Sequence, residues 1–185
     1  MTKDTQNLTN QKLYFAGEQL KTLQSGDADT LNHLAYQAQI VNCFTHLYFC
    51  YRALVMEIVG QLKIELSIPV FQLDGFVDQI DILEGLLAEQ DCSSPELMRL
   101  KHLAIDKDSW LYLLIKRFEQ SANGELAGFT PPKTKNKGSN KLHLLEIKGY
   151  NGTACDFSSF SGELQAIYYE LKAVVDEIRD GLVEY

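Results

Sequence analysis

Cys43, His46, Cys50 and Glu57 are the residues whose types and spacing could do chemistry. Their intervals of three, four and seven residues place them on one stripe of a helix that turns about 100° per residue, alongside Gln39, Ala53 and Gln61. Two thiols and an imidazole on one face are part of a soft-metal ligand set. An imidazole near a carboxylate is the start of an acid–base pair. Neither set is complete. Metal would need deprotonated thiolates and a fourth ligand from elsewhere, for which His102 is the obvious source. The spacing matches no standard zinc motif, and the sequence holds no His-x-x-x-His or Glu-x-x-His pair of the kind that builds a metal site in a bundle. No metal or other cofactor is expected. Three readings stand, in descending order. The first is the solvent side of an amphipathic helix, with the cysteines as small residues at a lightly covered boundary. The second is a polar seam facing another helix, with His46 paired to Glu57 or to a group across the bundle. The third is a metal site.

A second group lies further along. Lys133, Lys135, Lys137, Lys141 and Lys148 set five positive charges against one negative, Glu146. The whole chain carries −8, so the +4 of this stretch leaves −12 for the rest. Such a stretch suits docking on phosphate or on an acidic surface. Its plainer reading is a hydrated connection. Only Phe129 and Tyr150 flank the lysines, too few rings for a nucleic-acid platform. Asp74, Asp78 and Asp81 recur one turn apart, where carboxylates can hold magnesium and a phosphorylated ligand. With no glycine-rich or basic cradle beside them, they read first as a solvated face. Nucleophilic catalysis has no support: there is no Gly-x-Ser-x-Gly elbow, and Lys137-Gly138-Ser139 lacks the glycine spacing of a phosphate-binding loop. His33 and His143 have no sequence partners.

The elements that must position these residues are helical. Leu13, Ala16, Leu20 and Leu23 mark a first helix over about 7–24, which Ser25-Gly26-Asp27 breaks. A second runs from about Thr30 to Leu66 and ends before Pro69. It carries the polar stripe opposite a broad apolar side that includes Phe44, Leu47, Tyr51, Leu54 and Ile58. Leu73, Phe76, Ile80, Leu83 and Leu87 form the seam of a third, starting near Phe71 or Asp74. Ser93-Ser94-Pro95-Glu96 opens a fourth, with Ser93 and Glu96 as a capping box. The polar run Asp106 to Ser109 is placed to split it, Asp108 capping the second piece. From about 123 to 158 glycines and prolines interrupt the pattern, and Leu142 to Ile147 suit a short extended segment. A last helix over about 160–183 carries Leu164, Ile167, Leu171, Val174 and Ile178. The expected fold is all-α: one domain over 1–185, an antiparallel bundle of about five helices with one long basic crossover loop. Leu47, Leu54, Ile80, Trp110, Leu114 and Leu171 are its expected core.

The totals agree. At 185 residues and 45% hydrophobic, the chain buries a core without staples. A charge of −8 argues against nucleic acid and anionic membranes. The polar N-terminus is no secretory signal, and Asn42, Thr45, His46, Arg52 and Glu57 interrupt the most apolar stretch, so no membrane span is expected. With no Cys-x-x-Cys pair, the four cysteines (Cys43, Cys50, Cys92, Cys155) read as reduced thiols in a cytoplasmic protein.

Asn10-Gln11-Lys12-Leu13-Tyr14-Phe15-Ala16, Ser109-Trp110-Leu111 and Asp176-Glu177-Ile178-Arg179 resemble a family of uncharacterised helical proteins from gamma-proteobacteria. The resemblance covers most of the chain, while the long loop is specific to this sequence. It implies a bacterial, cytoplasmic, helical protein and no catalytic activity. Tyr14, Phe15, Tyr48, Phe49, Tyr51, Tyr168 and Tyr169 are more rings than narrow helix faces bury. They favour a binding or assembly protein that associates with itself or with a protein partner. The alternative is a small-ligand- or metal-binding bundle, or an enzyme, built on the polar stripe.

Overall fold

The second helix is apolar on nearly every side, and this decides the architecture. A helix without a polar face must be wrapped by others. The computed structural model describes residues 2–25, 33–62, 76–89, 93–123, 126 and 157–182. These residues form α1 (Thr2–Gln24), α2 (His33–Gln61), α3 (Phe76–Glu89), α4 (Pro95–Ile105), α5 (Trp110–Ala122) and α6 (Phe157–Leu182). There is no strand among the described residues. The central helix α2 packs against α1, α4, α5 and α6, α1 and α5 each also pack on α6, and the α3–α4 pair flanks this group. Hydrogen bonds join Thr9 to Cys50 and Ala16 to Cys43, so α1 and α2 run antiparallel.

The expected fourth helix divides. Asp106-Lys107-Asp108 leaves the helical path, and α4 and α5 are separate helices, which brings the count to six. The caps shift by one residue from expectation. Ser94, not Ser93, caps α4: its Oγ accepts from the Leu97 N–H at 3.2 Å and donates to Glu96 at 2.7 Å. Pro95 holds the first turn, where its missing N–H costs nothing. Ser109, not Asp108, caps α5, accepting from the Tyr112 N–H at 3.1 Å, while its own hydroxyl donates to the Leu103 carbonyl. Asp108 instead closes the turn through its backbone N–H to Asp106 Oδ1.

Leu47, Leu54, Ile80, Leu114 and Leu171 are fully buried, as expected. Trp110 is only half-buried, packed on the edge of the core, because it is the first residue of α5 and sits at the helix end. Bidentate Arg117–Glu163 contacts at 2.7 and 2.9 Å tie α5 to α6. Lys101 pairs with Glu84 between α4 and α3. The lysine stretch, the Leu142–Ile147 segment, Pro69 and Asp74 lie outside the described residues. No helix among those described is long and apolar enough to cross a membrane.

Candidate functional site

The stripe of α2 does not face solvent. Cys43, Cys50, Ala53 and Glu57 are all buried. The first reading of the sequence is therefore corrected in favour of the second: the stripe is a seam against another helix, and that helix is α1. Sequence spacing found the stripe but not its cover, because the opposite side of α2 is also buried, against the rest of the bundle.

The seam has a seven-residue logic. Tyr36, Cys43, Cys50 and Glu57 recur at that interval on α2, and Thr9, Ala16 and Leu23 on α1; all are buried. Small side chains on both sides let the backbones approach. Cys43 Sγ donates to the Ala16 carbonyl and Cys50 Sγ to the Thr9 carbonyl, each at 3.6 Å. One contact is thus repeated a heptad apart. Burial pushes both thiols up to about 12. They stay protonated at neutral pH, which withholds the thiolate that metal binding and nucleophilic attack require. Seven residues of helix also separate them by about 10 Å, too far for a disulfide.

Glu57 closes the seam. Its carboxylate accepts from Arg179 Nε at 2.8 Å and Arg179 Nη2 at 3.0 Å, and from the Thr9 hydroxyl at 3.1 Å. Arg179 also donates to Asn10 Oδ1 at 2.8 Å and to the Gln6 carbonyl at 3.4 Å. One guanidinium fork therefore joins α1, α2 and α6, and its hydrogen bonds to the Glu57 carboxylate raise the Arg179 pKa. Glu57 has no solvent exposure while Arg179 keeps 23% of its side chain exposed, so the cation reaches in from the rim. His46 is not the partner of Glu57. The sequence signal that was missed is general: a lone carboxylate on a wrapped helix requires a cation. The sequence does not reveal which cation, because Arg179 lies 122 residues away. Asn10 and Arg179, each in a segment that carried the family resemblance, meet at this carboxylate.

His46 belongs to a different surface, the outer edge of the same helix pair. Its ring lies 5.4 Å from Phe15 of α1. Its Nδ1 is buried and finds no partner among the described residues. Burial, then the nearby Lys12 charge, push its pKa below the ordinary histidine value. One turn on, Phe49 has Lys12 Nζ 5.7 Å and the Arg52 guanidinium 5.9 Å from its ring centre. The row continues into α5, where Phe118 stacks on Tyr48 at 3.9 Å and meets Phe49 edge-on.

In the other direction Tyr14 lies beside Phe15, and Tyr168 of α6 crosses Gly17. A Cβ at that glycine would come within 3.0 Å of the tyrosine oxygen, so glycine is what lets the ring lie flat on α1. Tyr169 packs edge-on against Tyr168. The rings thus run from α6 over α1 and α2 to α5.

Of the candidate residues, Cys43, Cys50 and Glu57 come together in the seam and His46 stands apart. The lysines 133, 135, 137 and 141 lie outside the described residues, as does Asp74, while Asp78 and Asp81 lie on α3. Among the described residues no group of three potential metal ligands assembles. The sequence model of a family of unknown function (DUF6586) matches residues 1–185. No curated protein and no solved structure matches the chain.

Proposed function

We propose that this chain, which belongs to the family of unknown function DUF6586, is a binding or assembly protein that presents its aromatic belt to another polypeptide, a second copy of itself included. One observation carries the reading. Tyr14, Phe15 and Tyr169 are left 62%, 39% and 58% exposed in this belt, although α2 buries Tyr36, Phe44 and Tyr51 completely or nearly so. Tyrosines suit such a surface: they offer contact area with few rotatable bonds and keep a polar tip for water when unoccupied. The polar groups of the seam, by contrast, are engaged with other helices, which removes support from a ligand or metal reading of the stripe.

Site-specific photo-crosslinking in the native cell tests the proposal. A crosslinking residue at Tyr14 or Tyr169 is expected to give discrete higher-mass species. The same residue at Ala122, at the exposed end of α5, is expected to give none. Absence of discrete products at both tyrosines rejects the reading.

A further inference from the structure

We propose that α1 is a strap over α2 with Arg179 as its latch: when the latch breaks, α1 lifts as one piece while α2–α6 keep their places. The device concerns how the chain opens, and it stands whether or not the aromatic belt binds a partner.

The bundle divides at α1. The main contacts of this helix are with α2 and α6, whereas α3 holds to α4, α4 to α5 and α2, and α5 to α2 and α6. When α1 leaves, α6 keeps its own anchors: it packs on α2 and α5, and its Glu163 holds Arg117 bidentately. The seam beneath α1 is suited to parting. At Ala16 and Thr9 it is joined by thiol–carbonyl hydrogen bonds of 3.6 Å, and a thiol is a weak donor. Charge-assisted contacts gather at one end, within Gln6–Asn10. There the Thr9 hydroxyl donates to the Glu57 carboxylate, while Asn10 Oδ1 and the Gln6 carbonyl accept from Arg179.

Burial of Glu57 is what makes this end a latch. With α1 closed the carboxylate has no solvent exposure, and its charge is tolerated because Arg179 supplies a cation. With α1 lifted, water reaches the carboxylate and the cation is no longer needed. Removing Arg179 therefore raises the closed state and not the open one. The latch's contribution is released when α1 opens, before the remaining helices unfold. Cys43 and Cys50 are built-in reporters, since both are fully buried against carbonyls of α1 and one movement uncovers both. Tyr14 and Phe15 ride on α1 and Tyr168 and Tyr169 on α6, so the same movement divides the belt.

Hydrogen exchange followed by mass spectrometry on the full chain, with thiol labelling in parallel, tests the device. In the wild type, α1 amides are expected to exchange at least about tenfold faster than those of α5, with a shallower dependence on urea. Cys43 and Cys50 are expected to be labelled at closely similar rates with that same shallow dependence. Arg179→Gln is expected to speed α1 exchange and the labelling of both thiols by at least about tenfold. Lys172→Gln, at an exposed site on the same helix, should change neither. If Arg179→Gln does not fold, Arg179→Lys, which keeps the charge and loses the fork, is expected to speed both readouts by less. Exchange of α1 as slow as α5 with the same urea dependence overturns the inference, because α1 then leaves only in global unfolding. Fast exchange of α1 with both thiols still protected also overturns it, as fraying of the helix end. Rates of α1 unmoved by the change at Arg179 overturn the latch. None of these readouts involves a partner, so a failed crosslink at Tyr14 and Tyr169 rejects the binding reading and leaves this result unaffected.

Discussion

The α1–α2 pair has two edges that carry polar side chains, one covered by packing and one only partly covered. On the inner seam, Cys43, Cys50, Thr9 and Glu57 are buried and engaged: thiols on carbonyls, carboxylate on guanidinium and hydroxyl. On the outer edge, Lys12, His46, Phe49 and Arg52 are only partly covered, and Lys12 and Arg52 both lie over the Phe49 ring. Polar residue types alone therefore do not mark a site. Groups satisfied by neighbouring helices in a buried seam hold the fold together, whereas those on a partly covered edge keep contact with the surface.

The largest expected difference between the two edges is in stability. Glu57→Ala leaves a partly exposed guanidinium fork without its carboxylate, and Arg179→Ala leaves a buried carboxylate without its cation. Arg179→Ala should cost about 3–5 kcal/mol in a urea unfolding experiment, and Glu57→Ala less, because water reaches the guanidinium left behind. Lys12→Ala at the outer edge should stay within about 0.5 kcal/mol. Glu57→Ala unfolding like the wild type would show that the seam does not carry the fold. In between, Leu47→Ala and Leu114→Ala, both fully buried, should cost about 2–5 kcal/mol.

A smaller effect separates the edges by size. Ala16 is buried in the seam, and its carbonyl accepts from the Cys43 thiol. Ala16→Leu should push the helices apart and cost about 1–3 kcal/mol. Phe15→Ser, one residue away on the outer edge, should disturb stability less and reduce crosslinking at Tyr14 more. Equal stability losses from the two would erase the distinction between seam and edge.

The helices, most of the core and the split at Asp106–Asp108 were legible because they depend on near neighbours in sequence: periodicity, proline and capping side chains. Trp110 was misplaced because residue type favours burial while its position at the start of α5 does not. The stripe was legible as a stripe, since three-, four- and seven-residue spacings define a face. Its cover was not, because that depends on α1 meeting α2 and on Arg179 arriving from a distant helix. The two cysteines and the glutamate read as ordinary boundary residues until Thr9, Ala16 and Arg179 are set against them. The outer edge is less legible still. Lys12, Phe15, His46 and Phe49 belong to two helices, and only packing interleaves them.

Titration separates the same edges in opposite directions. The Cys43 and Cys50 thiols are raised to about 12 by burial, above the ordinary value of about 8.5. Their contribution is complete below that value. It is lost as pH rises toward 12, where the unfolded chain releases protons that the folded one retains. Stability should fall across this alkaline window, and Cys43→Ala should flatten the fall. A thiol reagent should modify the folded protein slowly at both positions. Rapid modification under native conditions would place the thiols at an accessible surface instead.

The smallest effect lies on the acid side and belongs to His46. Its pKa is lowered by burial and then by Lys12, so the unfolded chain binds this proton more readily. The contribution of the neutral ring is present above the ordinary histidine value of about 6.5 and is lost as pH falls through the depressed folded value. Stability should therefore decline slightly on acidification from neutral pH, and His46→Gln should remove that part of the decline. Lys12→Gln should remove only the portion due to charge, because desolvation is the larger cause. The His46 ring signals should accordingly titrate below the ordinary range in the wild type and move upward, without reaching that range, in Lys12→Gln. A histidine that titrates normally in both proteins would mean that the outer edge is neither buried nor cationic enough to shift it, and the contrast with the seam would lose its second half.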